Sequence, residues 1–280
     1  MTGPGSNAPE SDAPPRVRSD APFLISFAIL GGAYVLLVLA MLAADASFTS
    51  PRHFWAALQS REIRYAIRLS LLTCSLTAIL SVWVATPIGY LLSRYRFPGK
   101  ALLDAILDIP IVLPPLVIGL SLLILFQTRP GRAVQSLIPI TYEVPSIILA
   151  QFSVACAFAV RTLRATFDQI PVRQEHVALT LGCGRGQAFW MVVFPEARRG
   201  LLTAATLAWA RSLGEFGPIL IFSGATRMRT EVLPTTVFLE LSVGNIEAAV
   251  AVSLLMVVAA VAVLMVIRIF GLERTPGRSL

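Results

Sequence analysis

Arg211 and Glu215, four residues apart in a run (201–223) that carries no other charge, are the pair in this sequence best placed to do chemistry. On a helix that spacing puts both side chains on one face, where they can pair. An unpaired charge at the centre of a bilayer costs at least about 3 kcal/mol, so both must face protein or a wet cavity. Two roles fit: a pathway or gate element, and a structural ion pair that fixes helix packing. Gly214 and Gly217 flank the pair and permit close helix approach or a local bend. A second constellation lies earlier, where Asp108 precedes Pro110, Pro114 and Pro115 in another apolar run. These prolines interrupt backbone hydrogen bonding, which at membrane depth requires protein or water to satisfy the freed carbonyls. Lining a pathway and kinking a helix both meet that requirement.

Signatures of an enzyme are missing. The sole lysine, Lys100, follows Phe97-Pro98-Gly99 without a phosphate-binding loop before it. The glycine-rich stretch Gly182-Cys183-Gly184-Arg185-Gly186 follows a predicted helix, whereas a dinucleotide fingerprint needs a strand. Ser121 sits in an apolar run, but no histidine lies in any such run to activate it. The two histidines, His53 and His176, are expected on opposite sides of a membrane, and no Cys/His spacing suggests zinc. We therefore expect no catalytic residue, no metal and no cofactor in this chain.

The elements that must carry these residues are membrane helices. The chain is 56% hydrophobic and only 14% charged, against about a quarter charged in soluble domains. Runs of about 20 apolar residues, enough to cross roughly 30 Å of hydrocarbon as helix, recur along it. Six spans are predicted, at 22–43, 65–92, 102–126, 145–160, 201–223 and 246–270. Residues 1–20 read as a disordered cytoplasmic tail, and a cleaved signal peptide is not expected because the first apolar run is too long. Residues 21–64 make the first helix and an outer loop, 65–270 a five-helix core, and 271–280 a cytoplasmic tail. The fold class is thus all-α, with six transmembrane helices and a cytoplasmic loop between the fourth and fifth; no strand alternation suggests a barrel. Arginine placement favours both termini inside. The net charge of +7 then follows from topology, and no nucleic-acid partner is implied. Cys74 and Cys156 fall in spans and Cys183 on the reducing side, so no disulfide framework is expected.

The fourth and fifth spans are separated by a charged, glycine-punctuated segment, RQEHVALTLGCGRGQAFWMVVFP, at 173–195. Its charges and glycines leave no apolar run long enough to cross a bilayer, so it must be available to touch something. Residues 174–181 read as a short helix closed by Gly182 in a left-handed cap. Gly184 and Gly186 then allow a reversal into a second short helix, 187–194, stopped by Pro195. Such a unit can form a cytoplasmic knob or lie in the membrane interface.

The segment resembles the cytoplasmic loop of binding-protein-dependent ABC importer permeases, whose pattern is E-A-A, three residues, Gly, nine residues, I-x-L-P. Gly182 and Pro195 fit, with Val192 and Phe194 at the apolar positions and Ala178 beside the expected alanines. His176 stands at the glutamate position, with Glu175 one residue early. Further matches are Phe97-Pro98-Gly99-Lys100, Leu102-Leu103-Asp104, the proline-rich 110–115, and Ala210-Arg211-Ser212-Leu213-Gly214-Glu215-Phe216-Gly217. These resemble the molybdate, tungstate and sulfate (oxyanion) permeases in order along the chain. The resemblance implies a permease subunit forming half of an oxyanion pore in the cell inner membrane. It implies ATP-binding subunits on the cytoplasmic face, which use the ATP, and an extracytoplasmic substrate-binding protein. A second permease copy or sister permease would complete the pore within the lipid bilayer. Glu175, His176, Ala178, Gly182, Gly184 and Pro195 would couple to the ATPase, while Asp108, Pro114, Pro115, Arg211 and Glu215 are pathway or gate candidates. Because Glu215 would repel an anion unless neutralised, the structural role of its pair is favoured. An ion-coupled secondary transporter is the alternative, and would need a buried coupling group, for which Glu215 is the candidate.

Overall fold

A computed structural model describes residues 21–48 and 51–272, and among them every regular element is helical. The first helix, α1 (Ala21–Phe48), is apolar all round and none of its span is buried. It belongs to a unit separate from the remainder, which begins at Phe48. The expected tail at 1–20, and the tail expected at 271–280 beyond residue 272, lie outside the described residues.

The second unit is built on three helices: α3 (Arg61–Arg94), α7 (Val144–Gln169) and α10 (Phe194–Leu213). The buried seam of α3 is made of small residues at helical spacing, including Ala66, Ser70, Thr73, Thr77, Ser81, Ala85 and Gly89. In a bilayer, where burying apolar surface between helices brings little gain, such seams let backbones approach closely. A Cβ on Gly89 would stand 3.0 Å from the Arg164 backbone nitrogen, and one on Gly200 would stand 2.2 Å from the Thr166 side chain. Those two glycines therefore set the α3–α7 and α7–α10 spacings. The short helix α2 (Pro51–Gln59) packs on α3 and on α13 (Ile246–Leu272), and α12 (Leu233–Ser242) packs between α13 and α3.

Two of the predicted spans are broken. Residues 102–126 form α4 (Lys100–Val112) and α5 (Pro115–Gln127), bent by 111° at Leu113-Pro114. Pro114 and Pro115 cannot donate to the carbonyls of the preceding turn, so the helix restarts with Pro115 at its first position. Residues 201–223 continue a helix that already begins at 194 in α10, unwind at 214–216, and resume as α11 (Gly217–Phe222). α6 (Arg129–Leu137) follows α5. By length and composition α1, α3, α7 and α13 can each cross a membrane, and the α4–α5 pair counts as a fifth if it is one broken span.

The α7 helix runs nine residues beyond the predicted end at 160, because Arg161 and Arg164 find carboxylate partners on α4 instead of facing lipid. Residues 172–196 hold α8 (Val172–Thr180), a turn, α9 (Arg185–Ala188) and a π-helical turn at Phe189–Val193 that runs on into α10. Pro195 does not stop this helix as expected. It sits in the first turn of α10, where the wider π turn before it accommodates the missing N–H.

Candidate functional site

The first site lies where the two broken helices meet. α5 packs against α11, with Gly119 and Gly217 at the crossing. A Cβ on Gly119 would lie 2.8 Å from Pro218 Cα, and one on Gly217 would lie 3.0 Å from Pro115 Cβ. Pro115, which restarts one broken span, is thus packed on the glycine that restarts the other.

Arg211 lies in the last turn of α10 and Glu215 in the unwound stretch after it. The pair expected from their spacing forms, with Arg211 Nη2 2.6 Å from Glu215 Oε1. The contact is ionic and not aligned, since Glu215 Oε1 accepts no well-formed hydrogen bond. Glu215 is buried, while the Arg211 side chain stays 29% exposed with its guanidinium 5.7 Å from the centre of the Phe158 ring. Asp108 is not alone either: both its oxygens accept hydrogen bonds from Arg161, Nε donating to Oδ1 over 2.5 Å.

Beneath the unwound stretch, buried Gln151 on α7 donates from Nε2 to the Ser212 carbonyl (3.2 Å) and accepts from Thr77 (3.1 Å). It thereby supplies a partner to a carbonyl at the helix end, where the unwound backbone lacks the regular helical bond. Nothing in the local sequence around Gln151 signals this role; its partners are 61 and 74 residues away.

The second site is the 172–196 segment. Gly182 adopts φ +90°, Cys183 N–H donates to the Ala178 carbonyl, and Gly182 N–H donates to that of Leu179. This is the double-bonded left-handed cap expected for a helix closed by glycine. Gly184 has ordinary extended φ (−71°), and its N–H donates to Gln187 Oε1 (2.8 Å), so the reversal turns on Gly182.

Glu175 and His176 separate sharply. Glu175 is buried: Arg94 Nε donates to its Oε1 over 2.5 Å and the Tyr90 hydroxyl donates to its Oε2 over 2.8 Å. Arg94 also donates to the carbonyls of Phe167 (2.8 Å) and Ile170 (3.0 Å). One carboxylate thus bolts α8 to the ends of α3 and α7. His176 faces outward beside exposed Val177 and Leu181, while Ala178 is buried and Pro195 exposed. The turn is held further by Arg185, whose Nη1 donates to the Tyr95 hydroxyl (3.0 Å). Arg94 was legible only as a basic residue ending an apolar run, which the charge asymmetry had already explained.

At the opposite ends of these helices, Arg227 bonds Glu62 and Glu240. The nearby Glu231 carboxyl is completely buried, and burial pushes it above the usual carboxylate range. This cluster ties the 223–232 connection to α3 and α12.

An all-helical membrane unit with two interrupted helices in contact, and a bolted helix–turn–helix between its core helices, defines a transport subunit in outline. Residues 85–272 match the family of binding-protein-dependent transport system inner membrane components, and the chain belongs to it. It is 33% identical over 248 residues to the sulfate transport system permease protein of Salmonella typhimurium, covering 87% of this chain and 88% of the relative. Against the molybdenum transport system permease protein of Mycobacterium tuberculosis it is 34% identical over 241 residues, covering 85% and 90%. Its fold also matches, at 14% identity and a TM-score of 0.72, a chain of a bacterial alginate ABC transporter solved with a pentasaccharide-bound periplasmic protein, covering 91% of this chain and 96% of that one.

Proposed function

We propose that this chain is the permease subunit of an ATP-driven ABC importer, forming half of the pathway for an oxyanion such as sulfate, molybdate or tungstate. The observation that carries the reading is the likeness to sulfate and molybdenum permeases over more than four-fifths of both chains. In this reading the chain crosses the inner membrane six times with both termini cytoplasmic, the α10–α11 pair making a second broken span beside α4–α5. The 172–196 segment then lies in the cytoplasm as the coupling knob. His176, Val177 and Leu181 present its contact face to the ATPase, Ala178 packs its inner face, and Gly182 sets its shape, with Gly184 and Pro195 in the following turn and helix. Glu175 transmits force by anchoring the knob to α3 and α7. ATP is bound and hydrolysed by the partner subunit, and a binding protein delivers substrate from outside. Two ATPase subunits need two knobs, so a second copy or a sister permease completes the pore. Closure of the ATPases would swing the rigid helix pairs between inward- and outward-facing states, with Pro114, Pro115, Arg211, Glu215 and Asp108 at the moving crossing.

The test is purification of the tagged chain from its native membrane in mild detergent. An ATP-hydrolysing subunit is expected to come with it in stoichiometric amount. Purification of a chain that carries no ATPase under conditions that keep it folded would count against the reading.

A further inference from the structure

Arg211 of α10 and Arg161 and Arg164 of α7 mark successive levels along α7. The Arg211 guanidinium sits against Phe158 near the middle of that helix. Arg161 and Arg164 follow at intervals of three residues, about 4.5 Å of rise each, toward the end that leads into the 172–196 segment. Each is paired with a carboxylate: Glu215 for Arg211, Asp108 for Arg161, and for Arg164 Asp104 (Nη1 to Oδ1, 2.5 Å), with Asp168 one turn on at 3.9 Å. None is sealed in, since the three arginine side chains are 29%, 59% and 32% exposed. The helix that supplies two of the carboxylates, α4, has no fully buried residue of its own; apart from Leu107, which packs on the core, it meets α7 through these ion pairs.

Structural pairs alone account poorly for this arrangement, because small residues and uncharged polar groups suffice to hold two membrane helices together, whereas charged side chains at membrane depth are costly and mark pathways. A doubly charged anion leaving the aqueous outer face needs cationic donors at successive depths. Conduction also requires sites attractive enough to enter and weak enough to leave. A bare arginine would trap a dianion; an arginine already paired offers its fork only in exchange for the carboxylate. Resting on the oxyanion reading above, we infer that Arg211, Arg161 and Arg164 form a stepped anion path in which the substrate displaces Glu215, Asp108 and Asp104 in turn.

The experiment uses the full transporter with its ATPase subunits, first in detergent without the binding protein and with radiolabelled sulfate as the probe and molybdate as competitor. Asp108→Asn removes the competitor for Arg161 and is expected to tighten sulfate binding at least about tenfold, with Arg161→Gln in the same chain abolishing the gain. Unchanged or weaker binding in Asp108→Asn, or an equal gain in the double variant, overturns the proposal. Should Asp108→Asn fail to retain the ATPase subunit, uptake in proteoliposomes decides. There Arg161→Gln is expected to lower the rate at least about tenfold, and Arg161→Lys, which keeps the charge but loses the two-pronged fork, to restore only part of it; equal rates in all three overturn it. A wild-type transporter that imports neither sulfate nor molybdate would instead overturn the reading on which the steps rest.

Discussion

Glu175 and His176 adjoin in sequence, yet the fold gives them opposite tasks. The Glu175 carboxylate is fully engaged inside, whereas the imidazole of His176 faces out. Glu175→Gln would leave Arg94 charged and without its counterion in a buried place, which costs about 3–5 kcal/mol when a buried pair loses one member. The expected outcome is a loosened 172–196 segment, seen as faster tryptic cleavage at Arg173 and Arg185 in the membrane-embedded protein. His176→Ala should leave cleavage unchanged and only weaken ATPase retention. Equal cleavage in Glu175→Gln and wild type would show that the anchor is dispensable. Neighbouring residues of this kind defeat pattern matching: the loop motif counts positions along the chain, while the burial of Glu175 depends on Arg94, 81 residues earlier. The Arg211–Glu215 pair was legible because its partners are local. Gln151 and the Asp108–Arg161 pair were not, because both join distant segments.

Elements in this chain are defined as much by their breaks as by their lengths. Hydropathy reads 102–126 and 201–223 as single runs, since a break lined with proline, glycine and apolar residues is as hydrophobic as a helix. The residues that cause the breaks were visible, but the 111° bend and the packing of one break on the other depend on tertiary contact. Gly119→Val would push side-chain atoms into the Pro218 backbone, an overpacking that costs about 1–3 kcal/mol or more. We expect it to separate α5 from α11 and to lower transport while the ATPase still co-purifies. Wild-type transport in this variant would show that the crossing tolerates widening. At the knob, Gly182→Val places a β-branched residue at φ +90° with open space around it. The penalty is therefore conformational and not steric with neighbours, at least about 1–2 kcal/mol. Insertion should survive, but ATPase retention should fall well below wild type. Full retention would remove the turn from the coupling account and favour a helix lying in the membrane interface.

At the scale of the molecule, the all-α class predicted from composition agrees with the helices of the described residues, and the family resemblance agrees with the family match over 85–272. Which charges meet across the bundle was not legible in sequence, because their partners lie on distant segments. The central claim is that this chain contributes pathway and gating while a partner supplies ATP hydrolysis and a binding protein supplies the oxyanion. The direct measurement is uptake of radiolabelled sulfate or molybdate into proteoliposomes holding this permease and its ATPase subunits, with binding protein outside and ATP inside. Uptake is expected only when ATP and binding protein are both present, and it should persist when ion gradients are collapsed. Uptake that proceeds without ATP and follows an imposed proton or sodium gradient would contradict the account and make the chain an ion-coupled carrier.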